Sequence, residues 1–337
     1  MSDQPPAVDR LVTLVIEEPT SDAIACLERF GETSAEDRKA AMQALRTVAA
    51  DRSVTLDSLC PALVQYLKDD ERAVRLSTAK LLAVIAESDP DSVIPMISAL
   101  ADRLADDDEF YYVRARVAET LGYIAVEYPE KVTSPETLAD LRIGLAFDEP
   151  EVREKLSKAL EYIALGAPHR LRHQVSALAD HLDDENELVR YHLTSALVVV
   201  GCEFPERLTA ARDDLVRRLT DDNDHVRGRA AEALGLLART GSDESTPAES
   251  SIRELVETQE EDSFASRRAH FALNAISSSA TSRNPPGTVG TLEGVRDTTG
   301  DAVDAITSPD SDGECPHCGL TLPGEGPPMC PQCGAPY

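Results

Sequence analysis

An all-α fold of stacked helical pairs is predicted by three observations. An acidic turn running into Val-Arg recurs along the chain, apolar residues follow each arginine at helical spacing, and proline stands shortly beyond each such stretch. The arginines are Arg75, Arg114, Arg153, Arg190 and Arg227, which lie 39, 39, 37 and 37 residues apart. A fixed period in this range marks repeats that stack on one another and outranks local readings of the chain.

Each repeat has the same parts. Seven places after each arginine stands a leucine (Leu82, Leu121, Leu160, Leu197, Leu234), and ten places after it Ile85, Ile124, Ile163, Val200 or Leu237. With Ala79 and Ala118 at the fourth place, these positions share one face of a 3.6-residue helix. Pro90, Pro129, Pro168 and Pro205 then end that helix, because the ring cannot continue the hydrogen-bond ladder. Eight places before the arginine, Leu67, Leu145, Leu182 and Leu219 close a preceding helix. One unit is therefore a first helix, a tight acidic turn and a second helix. This resembles the HEAT repeat, whose second helix opens with the same Asp-x-x-x-Val-Arg signature, and the resemblance covers about 250 residues counted by period. It implies a scaffold fold that hosts many unrelated functions.

In chain order, Val8, Leu11, Val12 and Val15 predict a short amphipathic cap. The first repeat is degenerate: a helix over about 22–30, with Ile24, Leu27 and Phe30 inward, then a second helix after the N-cap Ser34, with Arg38 at the signature place and Asp37 replacing the valine. The following repeats span roughly 56–88, 92–127, 134–165, 169–203 and 207–240. The third has a longer turn whose Tyr111 and Tyr112 either form a contact knob or fold back over the turn. Pro150 sits in the first turn of a helix, where a missing N–H is harmless. A seventh repeat, read as the C-terminal cap, places Ser266 at the arginine position, with Arg267 and Arg268 beside it and Leu273 and Ile276 seven and ten places on. The expectation is an all-α, right-handed α-solenoid of about seven HEAT-like helical pairs over 1–279, an acidic linker over 280–313 and a small zinc ribbon over 314–337. Within the linker, Leu292, Val295, Thr299, Val303 and Ile306 keep helical spacing, but flanking glycines favour disorder.

The tail carries the most specific chemical signal. Cys315-Pro316-His317-Cys318 and Cys330-Pro331-Gln332-Cys333 form two Cys-x-x-Cys knuckles that can close four thiolates around one tetrahedral Zn²⁺. A closed four-cysteine shell leaves no position for water, so the zinc is read as structural. So short a tail has no hydrophobic core of its own, and metal would supply most of its folding energy. Cys26, Cys60 and Cys202 sit in apolar helical contexts and are read as small core residues.

The 337 residues carry 61 acids against 33 bases, only six of them lysine, for a formal charge of −28. This acid-rich, lysine-poor composition resembles proteins of salt-accumulating halophiles of the archaeal type, where long-range steering is screened. No apolar run is long enough to span a bilayer and no secretory signal pattern opens the chain, so a cytoplasmic protein is expected. Two places after the signature arginine stand Arg116, Lys155, His192, Arg229 and, in the last repeat, Arg268. The resemblance places this column along an inner groove formed by the second helices. There it is either a ladder for an acidic protein partner or local neutralisation of the acidic turns. The signature arginines themselves are read as structural, paired with a neighbouring repeat.

Some HEAT-like proteins are lyases for bilin attachment and others DNA glycosylases, but no catalytic residue of either maps onto this chain. Its histidines are scattered, and no phosphate loop, His-Glu-x-x-His or nucleophile motif appears. A non-catalytic scaffold or adaptor is therefore expected, with nucleic-acid association as the alternative. The acidic charge and a ribbon without Lys or Arg weigh against nucleic acid.

Overall fold

A computed structural model describes residues 7–17, 20–51, 54–241, 246–277 and 287–307, and the described residues are helical without a strand. Two compact units divide the chain, residues 1–214 and 215–337.

The first unit opens with α1 (Val8–Glu17), α2 (Thr20–Phe30) and α3 (Ala35–Ala50). In α1 the buried residues are Leu11 and Leu14 rather than the valines, and in α2 Ala23 and Cys26 join Leu27 and Phe30 inside while Ile24 stays half-exposed. Ser34 caps α3 as expected, its hydroxyl accepting from the Asp37 N–H at 3.2 Å. Then follow α4 (Cys60–Leu67), α5 (Arg72–Ser88), the single turn α6 (Pro90–Val93), α7 (Ile97–Ala105), α8 (Tyr111–Glu127), α9 (Pro129–Val132), α10 (Pro135–Gly144), α11 (Pro150–Gly166), α12 (Pro168–Leu171), α13 (Val175–Ala179) and α14 (Glu187–Glu203). The prolines do more than stop the second helices. α5, α8 and α11 each end two residues earlier, and Pro90, Pro129 and Pro168 each start a new single turn, where proline's missing N–H is harmless.

The second helices stack in a row: α3 on α5, α5 on α8, α8 on α11, α11 on α14. The seventh-place leucines Leu82, Leu121, Leu160 and Leu197 are at most 1% exposed, and the valines before the signature arginines, Val74, Val113, Val152 and Val189, are fully buried. Helix-to-helix approach is close enough to restrict side-chain size. A Cβ on Gly122 of α8 would lie 2.9 Å from the Ala159 Cα of α11.

Three arginines at the signature place tie one turn to the next, while the ion pairs of Arg114 with Asp107 and of Arg227 with Asp224 lie within their own turns. Arg38 donates in bidentate fashion to Asp69, Arg75 to Glu109, and Arg153 to Asp184, each acid lying 31 or 34 positions further on. Arg75, Arg153 and Arg190 also donate to two carbonyls of their own turn, such as Phe147 and Asp148 for Arg153. A planar guanidinium with five donors suits this double task, which an ammonium cannot reproduce. Phe110, Tyr111 and Tyr112 fold together over their turn, ring centroids 4.7–5.3 Å apart, with Arg72 over the Phe110 ring. Local packing, the second of the two readings of those tyrosines, is what the geometry shows.

α15 (Arg212–Arg218) carries the unit boundary. The second unit contains α16 (Asp224–Ala238), α17 (Thr246–Thr258), α18 (Phe264–Ser277) and α19 (Leu292–Thr307), with α16 and α17 both packed on α18. Asn223 caps α16 through the N–H groups of His225 and Val226. Of the two readings of the linker, a short helix or disorder, α19 shows the helix. The helical spacing was real: Val295, Thr299 and Ile306 are buried, while Leu292 and Val303 are half-buried.

Candidate functional site

The basic column divides into two environments. In the first unit, Arg116 and Lys155 remain half-exposed, but both turn toward one carboxylate. Arg116 donates to Glu119 at 2.8 Å, three residues on in α8, and reaches Glu151 at 3.2 Å. Lys155 in α11 contacts Glu154 at 2.6 Å and stands 3.9 Å from Glu119. Lys158, one turn further along α11, is 3.1 Å from Glu119 and donates to the Tyr123 hydroxyl at 2.8 Å. Its ammonium lies over the Tyr123 and Tyr162 rings, at 4.8 and 5.5 Å from their centroids. Burial by itself would raise the Glu119 pKa, but Lys158 foremost, with Lys155 and Arg116, more than offsets it and takes the carboxyl down to about 2. Burial, with Glu119 and Glu87 nearby, pushes the Tyr123 phenol well above its usual range.

In the second unit the same register carries the same network in a buried form. Arg229 of α16 donates to Glu232 at 2.9 Å, again three residues on, and Arg268 of α18 donates to the same carboxylate at 2.8 Å. Arg229, Glu232 and Arg268 are 0–2% exposed. The guanidinium of Arg268 stacks on the Phe264 ring, 3.4 Å from its centroid. The segment entering α19 completes the shell. The Gly290 N–H donates to Glu232 at 2.7 Å, Arg229 donates to the Val295 carbonyl and to the Thr298 hydroxyl, and Arg268 donates to the same hydroxyl. Burial opposes the Glu232 charge, but the two arginines hold its carboxyl below the usual range.

His192 follows neither pattern. It is buried on α14 with Nδ1 2.5 Å from the Glu161 carboxylate of α11, an interhelical tie inside the core. The expectation of five accessible side chains in a row is thus corrected at His192, Arg229 and Arg268. A position 200° from the signature residue faces solvent on an isolated helix, but here the neighbouring second helix, and in the second unit α19, covers it. The acid five places after the signature arginine, Glu119 and Glu232, was missed by sequence reasoning. Its signal was present in the i,i+3 pairing with the basic column.

The cysteine knuckles Cys315, Cys318, Cys330 and Cys333 lie outside the described residues. Among the described residues, no group of three or more histidine, cysteine or acidic side chains is placed to hold a metal. Cys26 and Cys60 are buried, and burial raises the Cys60 thiol to about 12, as an inert core residue requires. No described helix is long and apolar enough to cross a membrane.

A HEAT-repeat profile matches residues 175–274. A designed armadillo repeat protein aligns over 64% of this chain and 99% of its own at a TM-score of 0.56 and 22% identity. The fold is a HEAT/armadillo-type α-solenoid. A computationally designed armadillo protein for modular peptide recognition (22% identity, 64% and 99% coverage, TM-score 0.57) and a designed one in complex with the peptide (KR)4 (22%, 64% and 99%, 0.56) are similar to the solenoid in the same way. At these identities the likeness concerns fold alone. A search of curated proteins found no match.

Proposed function

We propose that this solenoid is a non-catalytic scaffold that holds a protein segment on the face of its second helices, with the C-terminal zinc ribbon as an added interaction module. One observation carries the reading. In the second unit, the Arg229–Glu232–Arg268 network holds a segment of polypeptide, α19 and its lead-in, through backbone and hydroxyl groups rather than through a side-chain lock. Backbone N–H and carbonyl groups of that kind are offered by extended segments and by helix ends, and the hydroxyl by a serine or threonine. The network of Arg116, Glu119 and Lys155 repeats the arrangement at the same register in the first unit, flanked by the half-buried Tyr123 and Tyr162 rings, 5.4 Å apart, and there its ion-pair partners lie on α8 and α11 themselves. About seven helical pairs would present this face. Cys315, Cys318, Cys330 and Cys333 would hold one structural Zn²⁺ and so fold the tail. The composition fits a cytoplasmic protein of a salt-rich cell.

The reading is tested with a photo-crosslinking amino acid in place of Tyr162, in a native high-salt extract. Crosslinks gathered on one segment of one protein, undiminished by duplex DNA, are expected. Crosslinks scattered over many proteins without a common segment, or lost to competing DNA, overturn it.

A further inference from the structure

Three successive second helices, α3, α5 and α8, contribute Arg46, Lys80 and Arg116 to one cleft of about 610 Å³ in the first unit. Arg116 is committed to Glu119 and Glu151. Arg46 and Lys80 are different: both are half-buried on well-packed helices, yet neither forms a hydrogen bond or ion pair among the described residues. Half-buried cations without partners cost stability, and a folded chain rich in acids has many ways to neutralise them. Burial, then repulsion from Arg116 and Arg46, lowers the Lys80 pKa despite Glu151 nearby.

The lining also fixes the charge of what would fit. With Arg116 engaged by Glu119 and Glu151, Arg46 and Lys80 share the lining with one further carboxylate, Glu87, which leaves one positive charge in excess. Both acids are engaged: Glu87 accepts from the Tyr123 hydroxyl at 3.1 Å, and Glu119 accepts from Arg116 and Lys158. A monoanion balances the excess, whereas a phosphate dianion overshoots it and meets both carboxylates. Ala50, Ala83 and Val84 add an apolar wall suited to an aliphatic stem.

We propose that the cleft between Arg46, Lys80 and Arg116 is a binding site for a carboxylate, borne on an aliphatic side chain of an acidic partner peptide. This rests on the scaffold reading and names the chemistry its first unit selects. Arg46 and Lys80 supply the direct charge-assisted hydrogen bonds, and Arg116 keeps its bond to Glu119. Short contacts of this kind persist in molar salt, where a diffuse field does not.

The test uses the full chain with its lysines ¹³C-dimethylated. There are only six lysines, so the Lys80 signal is assigned by its absence in Lys80→Gln. The probes are acetyl-Ala-Leu-Glu-Leu-Ala-amide, its glutamine counterpart, and inorganic phosphate. The glutamate peptide is expected to shift the Lys80 signal and raise its titration midpoint, to bind about tenfold more tightly than the glutamine peptide, and to lose that preference in Arg46→Gln. Phosphate is expected to bind more weakly than the glutamate peptide. Equal binding of the two peptides, tighter binding of phosphate, or a Lys80 signal indifferent to all three probes overturns the proposal. The peptide contrast is read on the dimethylated chain of natural sequence, so it does not depend on any variant folding. Crosslinking at Tyr162 reports the scaffold reading separately: a captured segment with an unresponsive Lys80 sinks the carboxylate site alone.

Discussion

The carboxylate of Glu232 accepts the backbone N–H of Gly290 at 2.7 Å, across 58 positions of sequence. Gly290 has φ +77°, and a Cβ there would collide with the Phe271 ring, so the residue that offers its N–H to the network has little freedom to be anything else. One carboxylate thereby joins two buried arginines to the segment that covers them.

Glu232→Gln should therefore be severe. It removes the carboxylate that the buried Arg229 and Arg268 share, which costs about 3–5 kcal/mol. Hydrogen exchange is the measurement: amides of α19 should lose protection before those of α14.

Arg153→Met should destabilise the first unit by about 3 kcal/mol, because Asp184 keeps its burial and loses its bidentate partner. Arg153→Lys should recover only part of this, since one ammonium cannot serve both Asp184 and the carbonyls of Phe147 and Asp148. Denaturant midpoints of the two variants decide the matter.

Glu119 gives the first unit an acid-sensitive component. Its folded pKa is lowered from 4.5 to about 2, so its contribution is fully present above pH 4.5 and is lost as pH falls toward 2. Urea midpoints followed from pH 6 to pH 2 should fall more steeply for the natural protein than for Glu119→Gln. Parallel curves would show that the lysines do not stabilise the charge.

Leu197→Ala, at a fully buried seventh-place position, should cost roughly 2–5 kcal/mol. Thermal unfolding followed by circular dichroism measures it.

The purified, untagged protein should carry one zinc ion per chain, and Cys318→Ser should remove it. Metal analysis giving less than about half an equivalent counts against the ribbon, because four thiolates hold zinc tightly.

Much of the fold was legible because a repeat states its pattern several times over. Val152, Leu160 and Ile163 are each buried where a 3.6-residue period puts them, and the pairing of Arg153 with the next repeat follows from its placement after an acidic turn. The site was only half legible. The column of Arg116, Lys155, His192, Arg229 and Arg268 was visible as charge at a fixed register, but its exposure was not. Arg46 escaped notice because the first repeat is degenerate, and Lys80 because it stands five places from its signature arginine rather than two.

The sequence by itself determined the all-helical repeat, the order of the second helices and the ties that Arg75 and Arg153 make to the next turn, since these depend on residues within about one repeat of each other. Tertiary structure alone decided which polar side chains are buried and by what. Glu232 meets Gly290, and Arg229 meets Val295 and Thr298, through a return of the chain that no local period encodes. Whether a charged residue faces water or a partner depends on which helix comes to lie over it. That is settled by the summed burial of α19's apolar face, Val295, Ala302 and Ile306, and not by the charged residue itself.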